Sequence, residues 1–249
     1  MSASTLHAHA KLTRSLRVTG VRKDGYHLID AEMVSLELAD ILTLQPAATT
    51  VIEVTGEFRE GVPTDERNLC IAAADLSRRT LNISLEKRIP HGGGLGGGST
   101  DAAAVLRWAE LTDPAVTVTI GADVPFCVAG GRARVEGIGE LITPLPHLDL
   151  VYTLIIPPLS VSTPAVYSAW DELGGPTNTG LNDLEPAALR VEPRLDTWKQ
   201  RITRCTGVEP TLAGSGATWF LEGVHDDALD ELLAEGAVVR VTRTIDNRR

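Results

Sequence analysis

The chain has 249 residues, of which 43% are hydrophobic. This length and composition suit one large or two modest folded domains and exclude an intrinsically disordered chain. A formal net charge of -10 leaves no basic stripe for a nucleic-acid backbone, so we expect no nucleic-acid partner. The longest apolar run, Val151 to Leu159, is broken by two prolines and is too short to span a bilayer, so we also expect no membrane anchor.

Cysteine and histidine usage indicates the compartment. The three cysteines are widely spaced and form no Cys-x-x-Cys pair, and the six histidines show no His-x-x-x-His spacing. We therefore expect free thiols, a reducing cytoplasmic location and no structural metal. No apolar signal-peptide segment is visible. The oligomeric state stays open between a monomer and a homodimer.

The first predicted element is a strand over residues 6–18, which contains Lys11. By pattern alone, a lysine in a strand is typical of a solvated edge position. An Asp-Gly turn at 24–25 then presents Tyr26 and His27. An aromatic ring beside an imidazole can hold a planar ligand, although Tyr26 packing over its own turn is an equal alternative.

Antiparallel strands dominate the first part of the chain. Residues 28–44 alternate at period two on either side of a predicted turn at 39–40, and residues 51–58 continue the alternation. Residues 68–76 change to a helical period, and residues 83–87 return to a strand.

A glycine-rich loop follows that strand, and six of its seven residues from Gly92 to Gly98 are glycine. A helix is predicted next, to about residue 111, with Ser99 or Thr100 as its cap and Asp101 in its first turn. Free N–H groups and the positive end of the helix dipole should therefore point into the loop, which predicts a phosphate-binding site. Its residues are Pro90, His91, Gly92, Gly93, Gly94, Leu95, Gly96, Gly97, Gly98, Ser99 and Thr100.

Other interpretations of this loop are less favoured. A Walker loop needs Gly-Lys-Ser/Thr, and this loop has no lysine. A Gly-x-Gly-x-x-Gly match is nearly inevitable among six glycines, and residues 86–90 separate it from the preceding strand. A flexible linker is the remaining alternative, but a leucine inside the run, a proline before it and a helix after it argue against a linker.

A compact loop at 121–126 places Asp123 between small residues, where an aspartate commonly bonds to a neighbouring backbone N–H. From this segment alone the aspartate is either structural or catalytic. Residues 127–136 are predicted as sheet with a turn at 130–131, and the proline-rich segment 144–146 is the predicted domain boundary.

The second half restarts with a strand at 151–156. A helix then begins after Ser162 and carries Tyr167 and Trp170, whose spacing is typical of core packing, although Tyr167 lies close enough to the helix start to reach a ligand. The remaining predicted elements are helices at 181–190, 194–205 and 226–235, a small-residue turn entering a strand over 211–221, and a strand at 238–244. Mixed strands and helices predict two α+β domains.

Three separate segments together resemble the motifs of the GHMP small-molecule kinases: residues 10–12, 90–100 and 212–217. Within that superfamily, Asp24-Gly25-Tyr26-His27, the glycine loop and the Gly121–Phe126 loop resemble the branch that phosphorylates a cytidine-diphosphate-linked methylerythritol in non-mevalonate isoprenoid synthesis. The resemblance extends from about residue 10 to residue 217, in order and spacing as well as in residue type.

The resemblance implies a two-domain α+β GHMP kinase fold. The N-terminal domain, 1–146, would be ribosomal-protein-S5-domain-2-like and carry ATP, and the C-terminal domain, 147–249, would be ferredoxin-like. The implied activity is transfer of a phosphoryl group from ATP, bound with Mg²⁺, to a small alcohol that lies between the domains.

Site roles also follow from the resemblance. Lys11 and Asp123 would be the catalytic pair, and Asn68 and Lys87 would contact the nucleotide on the adenine side. The substrate would be held by Thr13, Tyr26, His27, Thr163 and Tyr167, and the third motif would contribute Gly214, Ser215 and Gly216.

Three features depart from the family pattern. Thr13 replaces a usual asparagine, Arg14 replaces an apolar residue, and the segment 111–121 is short. Two alternatives are therefore kept: a GHMP kinase for another alcohol such as homoserine, mevalonate or a sugar, and a nucleotide-binding homologue without catalysis.

Overall fold

The computed structural model describes residues 3–177 and 180–248. Within them the chain forms a six-stranded and a four-stranded sheet. The strands are β1 (Ser4–Val21), β2 (His27–Pro46), β3 (Val51–Thr55), β4 (Leu81–Glu86), β5 (Arg132–Gly137), β6 (Leu141–Pro144), β7 (Val151–Ile156), β8 (Thr211–Leu212), β9 (Trp219–Glu222) and β10 (Val238–Arg243). The helices are α1 (Leu69–Leu76), α2 (Gly97–Trp108), α3 (Pro114–Thr117), α4 (Val124–Ala129), α5 (Thr163–Glu172), α6 (Glu185–Val191), α7 (Arg194–Thr206) and α8 (Asp230–Ala234), with 3-10 turns at Val118–Ile120 and Asp226–Ala228.

The long strand β2 organises the first sheet. It pairs antiparallel with β1 along its length, and with β5 and β4 along two halves of its other edge. The register with β1 shifts between His9 and Lys11, so that Lys11 lies opposite Ser35. Such an irregularity re-aims the side chains that follow it, and Lys11 lies immediately after it.

Helices α1, α2 and α4 cover one face of this sheet. Their inward residues are mostly small, and Ala73, Ala102 and Ala103 are fully buried. Small side chains let helices approach a sheet closely, so α2 lies directly against β1. This packing fixes the start of α2, where the glycine loop ends.

The second sheet has the order β10-β7-β9-β8 and carries two buried rings, Tyr152 and Trp219, which lie in separate hydrophobic clusters. The two sheets touch at the bridge between Leu36 and Thr244. A second bridge, between Leu16 and Asn182, ties β1 to the segment that precedes α6. A cleft opens between these two halves of the molecule. The division into domains at 146/147 stays a prediction, and the change from one sheet to the other falls between β6 and β7.

The predicted α+β class is confirmed, but two local predictions are wrong. No turn occurs at Ala39-Asp40: β2 runs straight through it, because the carboxylate of Asp40 is satisfied inside the protein, where it accepts the N–H of Ile89 at 2.8 Å. Residues 127–129 belong to helix α4 and not to a strand, because Pro125 suits the first helical turn and Cys127 N–H bonds to the carbonyl of Asp123 at 3.0 Å.

Two predicted helices have different bounds in the structure. The helix expected at 181–190 begins only at Glu185, because the side chain of Asn182 accepts the N–H of Leu184 at 2.9 Å and holds the chain in a turn. The final helix divides into a 3-10 turn at Asp226–Ala228 and helix α8.

Candidate active site

The glycine loop is built from backbone conformations that glycine adopts easily. Gly94 and Gly96 have φ of 77° and 69°, in the left-handed region that costs other residues energy. Space is equally limiting: a Cβ on Gly96 would lie 2.7 Å from Cγ of Lys11, and one on Gly94 would lie 2.6 Å from the carbonyl oxygen of Gly216. The loop therefore approaches both β1 and the third motif without side chains between them.

Helix α2 begins three to four residues earlier than predicted. Gly96 is its cap, so Ser99 and Thr100 lie inside the helix and Asp101 lies beyond the first turn. Within the described residues, the N–H groups of Gly97, Gly98 and Ser99 bond to no protein acceptor. An uncapped N-terminus with free donors suits an anion better than a capped one.

Lys11 and Asp123 meet at this helix end. Nζ of Lys11 lies 3.1 Å from Oδ2 of Asp123 and donates to the hydroxyl of Thr13 at 3.1 Å. The lysine is 5% exposed, whereas the aspartate side chain is 33% exposed. The pair thus joins a buried cation to a carboxylate that incoming ligands can still reach.

The third motif supports the loop from the opposite side. Thr218 donates its backbone N–H to the carbonyl of Gly93 at 3.2 Å, and its hydroxyl bonds to the same oxygen. The amide of the buried Asn182 donates to the carbonyls of Leu212 and Gly214 at 2.9 and 2.7 Å. Asn182 is a supporting residue that motif reasoning missed, because its contacts are distant in sequence.

An aromatic group lies at the other end of the cleft. The rings of His27 and Tyr167 are 4.6 Å apart, and Trp170 meets His27 edge-on at 5.6 Å. Burial raises the pKa of Tyr167 above its ordinary value. Tyr26 is 59% exposed at the rim, and Arg22 lies over its ring. Sequence reasoning missed Asp171, whose carboxylate lies 2.9 Å from Nε2 of His27.

Thr163 and Ser215 join the second half of the chain to the site. Their hydroxyls are 2.7 Å apart, so the start of α5 is tied to the third motif. The whole cleft has a volume of about 800 Å³, within the range of small-molecule sites. Of the predicted residues, it is lined by Lys11, Thr13, Tyr26, His27, Lys87, Pro90, His91, the glycines and leucine of 92–98, Ser99, Asp123, Thr163, Tyr167, Gly214 and Ser215.

Lys87 and Asn68 have their polar groups engaged within the protein. Nζ of Lys87 lies 2.7 Å from Asp101 and also bonds to Asp40, and all three residues are buried. The amide of Asn68 caps α1 at Cys70 N–H, at 2.9 Å. The adenine-side roles of Lys87 and Asn68 stay predictions. Asp40 lies inside an apolar strand and Asp101 inside an alanine-rich helix. A charged residue in such a segment is the sequence feature that could have indicated a buried ion pair.

This buried triad has unusual electrostatics. Burial, the main cause, raises the pKa of Asp101 to about 8, and the Asp40 carboxylate adds to the effect. Burial alone would lower the pKa of Lys87, but the charges of Asp101 and Asp40 raise it. Burial and the Asp40 carboxylate thus favour the protonated form of Asp101, whereas the ammonium of Lys87 favours its charged form. The triad lies beneath the loop, since a Cβ on Gly97 would be 3.1 Å from Nζ of Lys87.

Metal clusters and membrane-spanning helices are both absent from the described residues. In the ranges 3–177 and 180–248, no group of three or more His, Cys, Asp or Glu is placed to hold a metal ion. Over the same ranges, none of the helices has the length and hydropathy to cross a membrane.

A glycine-built loop beside a Lys–Asp pair, on this fold, indicates a kinase of the GHMP class. The model of the GHMP kinases N terminal domain matches residues 68–131. The mevalonate kinase of Methanococcus jannaschii superimposes with a TM-score of 0.63 over 98% of this chain and 99% of that chain, at 12% identity. At this identity the likeness shows the fold alone.

Relatives with higher sequence identity show which family of GHMP kinases the chain belongs to. The 4-diphosphocytidyl-2-C-methyl-D-erythritol kinase of Paracoccus denitrificans (strain Pd 1222) is 38% identical over 95% of this chain and 91% of its own length. A crystal structure of 4-(cytidine 5'-diphospho)-2C-methyl-D-erythritol kinase covers 97% of this chain and 100% of that chain, with 31% identity and a TM-score of 0.75. The chain belongs to the 4-diphosphocytidyl-2-C-methyl-D-erythritol kinase family. It is therefore an ATP-dependent kinase, and the predicted GHMP fold is confirmed.

Proposed function

We propose that this protein transfers the terminal phosphoryl group of ATP to the 2-hydroxyl of 4-diphosphocytidyl-2-C-methyl-D-erythritol, a step of the non-mevalonate route to isoprenoids. The substrate is the one in the names of its relatives. The observation that carries the mechanism is the contact between Lys11 and Asp123 at the uncapped start of α2. That arrangement supplies an anion site, a cation and a carboxylate within one cleft.

The glycine loop binds the phosphates of ATP in this proposal. The free N–H groups of Gly97, Gly98 and Ser99 donate to phosphate oxygens, and the helix dipole favours their negative charge. These groups are fixed before ATP arrives, so little reorganisation is needed during the reaction.

Mg²⁺ fits this site as a companion of the nucleotide. Magnesium prefers oxygen ligands and is commonly held by substrate phosphates with only one or two protein groups. Ser99 lines the cleft and would offer its hydroxyl as such a group. When bound, the ion would neutralise charge on the transferred phosphoryl group.

Asp123 accepts the proton of the substrate hydroxyl. Its partial exposure lets the alcohol reach it, and the ammonium of Lys11 lies 3.1 Å away. Lys11 also offsets negative charge that builds on the transferred group. Thr13 holds the ammonium at 3.1 Å, so its hydroxyl, in place of the usual amide, orients the lysine next to the substrate.

The aromatic end of the cleft binds the cytidine. Tyr26 and Tyr167 offer ring faces, and stacking on an aromatic ring contributes about 1–3 kcal/mol per base. His27 offers a polar ring edge, and Thr163 links this end to the third motif through Ser215. Binding of the base, remote from the reacting atoms, positions the hydroxyl against the phosphoryl group.

Another small alcohol is the alternative substrate. The fold is shared with homoserine and mevalonate kinases at 12–16% identity, which does not define a substrate. The packed His27–Tyr167 pair favours a planar base over a small aliphatic alcohol. An inactive homologue is less favoured, because the Lys11–Asp123 contact is intact.

The cellular setting completes the proposal. We expect the protein to work in the cytoplasm as a monomer or homodimer, with a small-molecule substrate and without nucleic acid, because its net charge is -10. Size measurement in solution and binding assays with nucleic acid would test these expectations.

The direct experiment is a product assay with the purified protein, ATP, Mg²⁺ and the cytidyl substrate. Phosphorus NMR should show a new phosphomonoester and ADP formed in equal amounts. Homoserine and mevalonate serve as comparison substrates. Phosphorylation of either of these, with none of the cytidyl substrate, would overturn the assignment.

A further inference from the structure

A carboxylate on α5 holds the imidazole that faces the aromatic end of the cleft. Oδ1 of Asp171 lies 2.9 Å from Nε2 of His27. The histidine side chain is 11% exposed, whereas the aspartate side chain is 51% exposed. The aspartate is therefore solvated on its outer side and reaches inward to the ring with one oxygen.

This contact has a defined direction. An ionised carboxylate can only accept hydrogen bonds, so Nε2 of His27 must carry the hydrogen. In the neutral ring the other nitrogen, Nδ1, is then an acceptor. Among residues 3–177 and 180–248, no group bonds to Nδ1. His27 lines the cleft, so in this tautomer its ring keeps one acceptor atom for a ligand.

Packing keeps the ring in this orientation. Tyr167 lies against one side at 4.6 Å, and Trp170 meets it edge-on at 5.6 Å. Tyr167 and Asp171 lie one turn apart on α5, so the same helix supplies the ring contact and the acceptor. A flipped imidazole would lose the bond to Asp171.

We propose that Asp171 is a positioning residue that makes this site selective for cytosine over uracil. It fixes His27 as the Nε2–H tautomer, so that Nδ1 accepts a hydrogen bond from the exocyclic amine of cytosine. Uracil has a carbonyl oxygen at that position, and two acceptors would face each other. This inference rests on the proposed function, because it assigns the base end of the same substrate.

Asp171→Asn tests the inference. An asparagine amide can donate as well as accept, so both tautomers of His27 become accessible. The ratio of kcat/KM for the cytidyl substrate to that for its uridyl analogue should fall about tenfold or more, because one mispaired group at a binding site typically costs that much. The change should appear in KM more than in kcat, since the base is remote from the reacting atoms.

Glu172→Gln is the matched control. Glu172 is adjacent on α5 and loses the same charge, but its partner is Arg190 at 3.1 Å. The control should keep the wild-type ratio. An equal loss for both substrates in Asp171→Asn, with the ratio unchanged, would show a merely structural role and overturn the inference.

Nitrogen NMR of histidine-labelled protein gives a readout that does not need turnover. At alkaline pH the His27 signals, identified by their loss in His27→Gln, should show the hydrogen on Nε2 in the wild type and a mixture in Asp171→Asn. A wild-type enzyme that phosphorylates the cytidyl substrate but carries the hydrogen on Nδ1 overturns this inference alone. A wild-type enzyme without cytidyl turnover overturns the proposed function, and the inference with it.

Discussion

Nζ of Lys11 lies 3.1 Å from Oδ2 of Asp123, although one residue belongs to the first strand and the other precedes helix α4. The lysine stem passes beneath Gly96, and its end is held by Thr13. Two side chains that are separate in the sequence thus form one unit at the start of α2. Distinct effects are expected from substitutions at four places. These are the Lys11–Asp123 unit, the loop above it, the charges beneath the loop and the aromatic end of the cleft.

Replacement of Lys11 by methionine should remove the cation and keep most of the stem. We expect kcat to fall about 10²- to 10³-fold, since the lost charge stabilised the transition state more than the ground state. The Kd for ATP should change much less, because the free N–H groups of α2 remain. Steady-state kinetics and calorimetric ATP titration measure the two effects.

The control for this change is Lys199→Met. Lys199 pairs with the mostly buried Glu185 and the exposed Glu209 in the second half, outside the cleft. It should keep wild-type kcat. A Lys11→Met enzyme with wild-type kcat would show that the lysine is only a structural partner of Asp123.

Gly96→Ala should damage the phosphate site directly. The added methyl would sit at φ of 69° and 2.7 Å from Lys11 Cγ, so the loop and the lysine cannot both keep their places. We expect a higher KM for ATP and a lower kcat, with a loss of unfolding free energy of at least ~1 kcal/mol from the left-handed backbone alone.

Gly207→Ala separates the effect of the left-handed backbone from the effect of the close contact with Lys11. Gly207 has a similar φ of 72°, but a Cβ there meets nothing within 4 Å. It should lose only the backbone contribution, ~1 kcal/mol, and keep its activity. If both variants retain wild-type kinetics, close approach of Lys11 to the loop is not needed for catalysis.

Asp101→Asn should change how stability depends on pH. The pKa of Asp101 rises from 3.8 to about 8 on folding, so between these values the folded state binds a proton that the unfolded state releases. The free energy of unfolding of the wild type should therefore fall with rising pH across this window, relative to the variant, by at most ~1.4 kcal/mol per pH unit.

Denaturant unfolding of wild type and Asp101→Asn at several pH values measures this difference. The asparagine cannot lose a proton. The free energy of unfolding of the wild type, relative to that of the variant, should therefore be highest at the acid end of this pH window and lowest at its alkaline end. A difference between the two proteins that stays constant with pH would mean that Asp101 is ionised throughout.

Tyr167→Ala should weaken binding of the cytidyl substrate and of CMP by about 1–3 kcal/mol, and leave ATP affinity unchanged. Tyr167→Phe keeps the ring and should retain most of the affinity. Isothermal titration with CMP and ATP distinguishes the outcomes. Equal losses for CMP and ATP would place Tyr167 outside the cytidine site.

Local sequence signals predicted the parts of the site that depend on local chemistry. The glycine loop could be predicted because a run of residues without Cβ before a helix is typical of a backbone that a phosphate approaches closely. Lys11 and Asp123 could not be proposed as catalytic in this way, because each lies in a segment where a structural role is more common. Only the resemblance to a family indicated that the two residues act together. In the structure their side chains lie 3.1 Å apart.

Errors arose where tertiary contacts decide the local structure. Asp40 resembles a turn residue, yet the N–H of Ile89 and the ammonium of Lys87 keep it inside a strand. The cap of α2 was misplaced because Ser99 and Thr100 are good caps in isolation, whereas here the helix starts at the glycines. Residues such as Asn182 and Asp171 carry no motif, so only the fold shows what they contact.

The central claim is that Asp123, held by Lys11, takes the proton from the alcohol that attacks ATP. The most direct test is single-turnover phosphorylation of the cytidyl substrate at saturating ATP, compared between the wild type and Asp123→Asn. The control is Asp75→Asn, because Asp75 is an exposed aspartate on α1. The account predicts that Asp123→Asn slows the transfer about 10²- to 10⁴-fold, while ATP still binds and Asp75→Asn reacts at the wild-type rate. Transfer at the wild-type rate by Asp123→Asn would contradict it.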